Sequence, residues 1–158
     1  MKQLFILIAS VLTIATAKAE NITREMDLTA SVDIIEVSDE INVVLTQSSE
    51  AKLRITGEEK DTKAVLLDQK NGRVRLLSKK GSLKNMVTVY IPVQNLSKLV
   101  INGKSYVRSN GIIASKKLLV TVAGEAKVEI NNLGDIAFEA DQDIDLLVKK
   151  WNTSYNRQ

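Results

Sequence analysis

The stretch Val120-Thr-Val-Ala-Gly124-Glu-Ala-Lys-Val128-Glu-Ile130 decides the predicted fold, because apolar and polar residues alternate on either side of one glycine. Successive side chains of a strand point to opposite faces, so the stretch predicts two half-buried strands joined at a corner. Residues 99–107 and 136–146 repeat this pattern, with Gly103 and Ala140 in the place of Gly124. Stacked copies can bury the apolar face that a single copy cannot. We therefore predict that these three small residues occupy equivalent corners of successive layers.

The repeats predict an all-β, single-domain parallel β-helix or a related β-solenoid. Further strands are predicted at 32–37, 41–47, 52–56, 73–78 and 87–91, the last ending before Pro92. Residues 62–68 fit either a helical turn or a strand. Asn71-Gly72 is a strong hairpin signal, which favours the alternative, an antiparallel β-sandwich.

The ends of the chain differ from this core. Residues 1–19 have a basic start, an apolar run at 4–15 and an Ala-Lys-Ala cleavage site at 17–19, and therefore predict a signal peptide. The apolar run is shorter than the ~20 residues of a membrane span, so we expect no transmembrane segment in the mature chain. Residues 20–31 are predicted to be a flexible lead-in, 32–148 the folded domain, and 149–158 a polar tail or cap.

Composition excludes several functions. The chain has no histidine and no cysteine, which excludes histidine-based catalytic triads and disulfides and argues against zinc sites. The formal net charge is +3, and without Lys2 and Lys18 it is +1. Such a balance gives no reason to expect nucleic-acid binding, which needs a clustered basic face. We expect no cofactor.

Four carboxylates recur at every second position, at Glu139, Asp141, Asp143 and Asp145. Carboxylate oxygens are the ligands that Ca²⁺ prefers, so this run is a candidate calcium site. Side chains along one straight strand lie too far apart to surround one ion, and a solvated face is the favoured reading. A second candidate pair, Glu129 and Asp145, would suit glycoside hydrolysis only if the two carboxyl groups flanked a cleft.

Exposed aromatic side chains are the candidate binding surface. Tyr106 is out of phase with Val107 and should face solvent, and Trp151 and Tyr155 stand in the polar tail. Aromatic rings of this kind can support a glycan, although a role in the core or as an end cap is favoured for the last two. The repeat register also predicts that Arg108 lies beside Glu129 and Tyr106 beside Lys127.

Residues 32–147 resemble the putative auto-transporter adhesin head domain, or GIN domain, of exported Bacteroidetes proteins. The resemblance rests on the following segments: Ile41-Asn-Val-Val-Leu, Leu53-Arg-Ile-Thr-Gly, Asn71-Gly-Arg-Val-Arg-Leu, Val87-Thr-Val-Tyr-Ile-Pro92, and the turns at 102–105 and 123–126. It implies a right-handed parallel β-helix and an exported protein. It supplies no catalytic residues.

The leading functional prediction is a non-enzymatic exported protein, periplasmic or at the cell surface, that adheres to a glycan or a cell-surface protein. A small polysaccharide-active enzyme is one alternative. A periplasmic structural or assembly factor is another.

Overall fold

The computed structural model describes residues 21–79 and 83–140, and the backbone of 146–150. These residues form thirteen strands and one short helix. The strands are β1 (Asn21–Asp27), β2 (Ile34–Ser38), β3 (Ile41–Gln47), β4 (Lys52–Glu58), β5 (Val65–Lys70), β6 (Arg73–Ser78), β7 (Val87–Val93), β8 (Lys98–Asn102), β9 (Ser105–Ile113), β10 (Lys117–Ala123), β11 (Ala126–Asn132), β12 (Asp135–Ala140) and β13 (Leu146–Lys150), and the helix is α1 (Glu59–Ala64).

The strands make two sheets around one apolar core. The seven-stranded sheet has the order β1-β4-β7-β3-β9-β11-β13, and the six-stranded sheet has the order β12-β10-β8-β2-β6-β5. From β7 onward, consecutive strands alternate between the two sheets. The inward residues of both sheets, such as Ile101 and Val120 from one and Val107 and Val128 from the other, join a single buried cluster. The alternation in the sequence thus predicts correctly which side chains enter the core.

The predicted parallel β-helix is wrong. The two sheets are separate and mixed, as in a sandwich, and β1–β4, β4–β7 and β5–β6 pair antiparallel. The chain reverses at Asn71-Gly72, where both residues have positive φ, and a two-residue turn of this kind joins antiparallel strands. The alternative, an antiparallel sandwich, describes only the strands that form these three antiparallel pairs. In the rest of the seven-stranded sheet, the pairing is parallel along the order β7-β3-β9-β11-β13.

Two of the three predicted corners stack. A Cβ atom added to Gly124 would lie 3.1 Å from the backbone N and O of Gly103, and one added to Gly103 would lie 2.9 Å from the carbonyl O of Asp39. The φ angles are 123° at Gly124, 150° at Gly103 and 67° at Asp39. The third member of this stack is therefore Asp39, between β2 and β3. The small-residue repeat in the sequence does not include Asp39, because this corner carries a side chain.

Ala140 does not match Gly124. It pairs with Val122, while Phe138 pairs with Val120 and Ile136 with Leu118, so the last layer is offset by two residues from the predicted register. A shift of two keeps every side chain on the same face, so the apolar pattern fits both registers equally.

Three local predictions also change. Part of the predicted flexible lead-in, Asn21–Asp27, is β1, which pairs with β4. Strand β7 continues through Pro92 to Val93; β4 pairs only with Thr88 to Tyr90, so the proline removes no hydrogen bond on that side. Residues 62–68 contain both the end of α1 and the start of β5. The predicted signal peptide and residues 151–158 of the predicted tail lie outside the described residues.

Candidate functional site

Both tyrosines of the described residues lie on the outer face of the seven-stranded sheet. Tyr90 stands between the buried Val89 and Ile91 in β7, and Tyr106 precedes the buried Val107 in β9. Both rings are half-buried. Strands β7 and β9 are separated by β3, which places the two positions two strand spacings, roughly 10 Å, apart across the sheet.

Tyr106 is the centre of a polar cluster on β9 and β11. Its hydroxyl donates a hydrogen bond to Oε2 of Glu129 at 2.6 Å, and Nζ of Lys127 lies 5.2 Å from the ring centroid. Lys127 also forms an ion pair with Glu129 at 2.9 Å. The backbone N–H of Tyr106 donates to Oδ1 of Asn42 at 3.2 Å. The predicted pairings of Tyr106 with Lys127 and of Arg108 with Glu129 are both confirmed.

The Tyr106 cluster favours the ionised form of Glu129 by lowering its pKa. Hydrogen bonds from Tyr106 and then from Lys127 lower the pKa of the Glu129 carboxyl. The same bond with Glu129 raises the pKa of the Tyr106 hydroxyl. A general acid needs a raised carboxyl pKa, so this environment suits Glu129 only for the other role in a pair of glycosidase carboxylates, that of the ionised nucleophile or base. Its predicted partner Asp145 lies outside the described residues, and Glu129 is opposite Leu147 in the register.

A second aromatic–cation pair lies across the sheet. The guanidinium carbon of Arg54, on β4, lies 5.8 Å from the centroid of the Tyr90 ring. The sequence prediction selected Tyr106, Trp151 and Tyr155 and overlooked Tyr90. The signal was present, because Tyr90 alternates with buried residues in the same way as Tyr106.

An apolar position joins the two pairs. In the register, Val44 lies opposite Tyr90 on one side and Arg108 on the other. Val44 is only 3% exposed, although it does not belong to the core cluster. Neighbouring outward side chains of the sheet therefore cover Val44. Across the outer face, Tyr90 and Val44 form a short apolar strip between Arg54 and Arg108.

The sequence profile of the family described as putative auto-transporter adhesin, head GIN domain, matches residues 32–143. The chain belongs to this family. Three solved structures are similar to this GIN-domain chain. They are a putative adhesin from Parabacteroides distasonis ATCC 8503 (15% identity, TM-score 0.48, covering 82% of this chain and 70% of that chain), a putative adhesin from Bacteroides fragilis NCTC 9343 (15%, 0.45, 84% and 94%) and a putative cell adhesion protein from Clostridium sporogenes ATCC 15579 (12%, 0.40, 78% and 68%). No curated protein matches the chain.

Membership in the GIN-domain family points to an adhesin-like protein that is exported or at the cell surface. Within the described ranges, no helix is both long and apolar enough to cross a bilayer.

The other predicted site residues of this GIN-domain chain are only partly described. Glu139 is exposed on β12 and accepts a hydrogen bond from Oγ1 of Thr121 at 3.4 Å. Asp141, Asp143 and Asp145, and also Trp151 and Tyr155, lie outside the described residues. Among the residues that are described, no group of three His, Cys, Asp or Glu is placed to hold a metal ion. The calcium site therefore stays a prediction.

Proposed function

We propose that this chain is a non-catalytic exported adhesion module that binds its partner through the outer face of the seven-stranded sheet. The observation that carries the proposal is the pair of aromatic–cation contacts on that face, Arg54 with Tyr90 and Lys127 with Tyr106. Membership in a family of adhesin heads supports the same reading. The predicted signal peptide at 1–19 would deliver the chain to the envelope.

The outer face of the seven-stranded sheet is better suited to binding a partner than to catalysing a reaction. Tyrosine offers an apolar ring with a polar hydroxyl at little entropic cost, which is why it is enriched where proteins bind partners. The ladder hydrogen bonds of β7, β3, β9 and β11 hold both rings on one rigid surface. A surface that is already ordered loses little conformational entropy on binding.

The test is adhesion of the fluorescently labelled chain from Glu20 to bacterial envelope fractions, host cells and a glycan array. We expect saturable binding, and we expect the double variant Tyr90→Ala/Tyr106→Ala to weaken it roughly tenfold or more, because buried aromatic anchors dominate such interfaces. Leu66→Ala, at an exposed position of the six-stranded sheet, is the control and should bind normally. Absence of binding to every surface would overturn the proposal, and so would full binding by the double variant.

The periplasmic assembly alternative makes a different prediction. A structural factor would form a stable complex with one envelope protein, detected by cross-linking in cells, and would leave foreign surfaces unbound. Capture of such a complex together with a negative adhesion assay would favour that alternative over the adhesion module.

A further inference from the structure

A groove runs from the outer face of the seven-stranded sheet to the loops at one end of β3, β4 and β7. Its smaller part has a volume of about 80 Å³ and contains Arg54 and Tyr90. Its larger part has a volume of about 250 Å³ and reaches the loop at 28–32. The two parts share Ser48, Glu50 and Pro92, so they lie side by side. We call this cleft the Tyr90 groove.

The floor of the Tyr90 groove offers an apolar surface next to hydroxyl groups. The Tyr90 ring and Pro92 lie two residues apart on β7 and both line the smaller part. Thr46 and Ser48 line it beside them, and further serines line the larger part. A few polar groups around an aromatic floor are the usual make-up of a small-ligand site, but the part that contains Tyr90 and Arg54 is much smaller than the ~300–1,000 Å³ of an enclosing site. The groove therefore suits contact with one face of a sugar unit rather than its enclosure.

The charges of the groove favour an anion at one end. Arg54 is exposed, and among the described residues no carboxylate oxygen lies within 4.0 Å of its guanidinium nitrogens. Lys52 beside it is already paired with Glu25 at 3.3 Å. The planar guanidinium matches a carboxylate in a two-bond fork, which makes Arg54 the group best suited to receive one.

Glu50 determines the orientation of the ligand in the groove. It lines both parts of the groove. Its carboxylate repels a second carboxylate and accepts hydrogen bonds from hydroxyl groups. A ligand with one acidic group and several hydroxyls would therefore place the acid at Arg54 and the hydroxyls towards Glu50.

We propose that the Tyr90 groove binds a sugar that carries a carboxylate, such as a uronic acid unit of an anionic polysaccharide. The sugar ring packs against Pro92 and the edge of the Tyr90 ring, and its carboxylate pairs with the Arg54 guanidinium, which lies over Tyr90. This assignment rests on the proposed adhesion function, since it names the chemistry that the same face recognises.

The test compares oligogalacturonate with its methyl ester, which keeps the ring and removes the charge. Calorimetry with the chain from Glu20 should give a Kd about tenfold or more lower for the acid than for the ester, as a charge-assisted fork predicts. Arg54→Gln should abolish that preference, and Tyr90→Ala should weaken both ligands. Glu50→Gln should tighten binding of the acid. Lys117→Gln, which removes one exposed positive charge from the six-stranded sheet, is the matched control and should change nothing.

Arg54 is exposed, so its variant should fold, and circular dichroism checks this for each variant. Equal binding of acid and ester, binding of neither, or an acid preference that survives Arg54→Gln would overturn the proposal. If the chain still adheres to envelopes and adhesion is insensitive to Arg54→Gln, the carboxylated-sugar assignment fails while the adhesion function stands. If adhesion itself is absent, the adhesion function fails.

Discussion

At the scale of single residues, the hydrogen bond between Tyr106 and Glu129 is the main influence on the pKa of the Glu129 carboxyl. It is the largest cause of the lowered Glu129 pKa. We predict that Tyr106→Phe raises the pKa of Glu129 towards its ordinary value of 4.5. A carbon-detected NMR titration of the glutamate side chains measures this directly.

The direction of the pH effect follows from that shift. A carboxyl group whose pKa is lowered by folding stabilises the folded state above its ordinary pKa, and the contribution is lost as the pH falls through the folded-state value. The Tyr106–Glu129 contact should therefore be intact at neutral pH and weaken below pH 4.5. Tyr90→Phe is the control, since no hydrogen bond joins the Tyr90 hydroxyl to Glu129. An unchanged Glu129 pKa in Tyr106→Phe would show that the cations Lys127 and Arg108 lower it without the tyrosine.

At the scale of elements, the stacked corners between the two sheets hold the layers together. Gly124 has a φ of 123°, and a Cβ atom there would lie 3.1 Å from the Gly103 backbone, closer than an ordinary contact, whereas Gly111 has a φ of 88° and no atom within 4 Å of such a Cβ. Both positions disfavour alanine by backbone conformation, at a cost of about 1–2 kcal/mol. We predict that Gly124→Ala lowers the free energy of unfolding by at least ~1 kcal/mol more than Gly111→Ala, because only Gly124 adds crowding.

Urea denaturation of the two variants measures that difference, and the shared positive φ makes Gly111→Ala the matched control. Equal losses would mean that the corners are spaced more loosely than the contact distances imply. A larger loss at Gly111 would mean that backbone conformation alone decides the cost.

The same corners show how far the sequence predicts the elements. Alternation identified the inward residues, and Gly103 and Gly124 were correctly matched. The predicted register of the last layer is wrong because Ala140 resembles Gly124 only in its small size, and the apolar alternation fits two registers that differ by two residues. Asp39 was missed because its strained φ is supported by contacts distant in sequence: its carboxylate accepts hydrogen bonds from the N–H and Oγ of Ser78 at 2.9 and 3.0 Å. Such support is not visible in a repeat pattern.

The order of the strands in the sheet also explains why the sequence did not predict the Arg54–Tyr90 pair. Tyr90 could be recognised as outward from Val89 and Ile91. The pairing of Tyr90 with Arg54 could not be recognised in the same way. Strand β4 runs antiparallel to β7, and the alternation of residues does not reveal which strands are neighbours. The sequence thus indicates which side chains face outward, while the strand order decides which of them meet.

At the scale of the whole molecule, the two ends of the sandwich are built differently. One end has the antiparallel strands β1, β4, β5 and β6 together with α1, and the other has the parallel strands β12 and β13. Strand β1 links sheet and helix at the first end, because Nη1 of Arg24 donates to the carbonyl O of Thr62 at 3.1 Å and Met26 packs against the core. It therefore belongs to the folded unit, although the family match begins only at residue 32.

We predict that removing Asn21–Asp27 destabilises the domain, because β4 then has an unpaired edge and the contacts of Arg24 and Met26 are lost. Partial burial of Met26 and Ile22, together with the lost hydrogen bonds, corresponds to roughly 2–4 kcal/mol. Urea denaturation of chains starting at Glu20 and at Leu28 measures this change, and the m-value should fall because less surface is buried. Thr23→Ala, at an exposed position of β1, is the control and should stay within about 0.5 kcal/mol of the unchanged chain. Equal stability of the two chains would mean that the strands from β2 onward fold independently of β1, and that the family boundary is also the boundary of the folding unit.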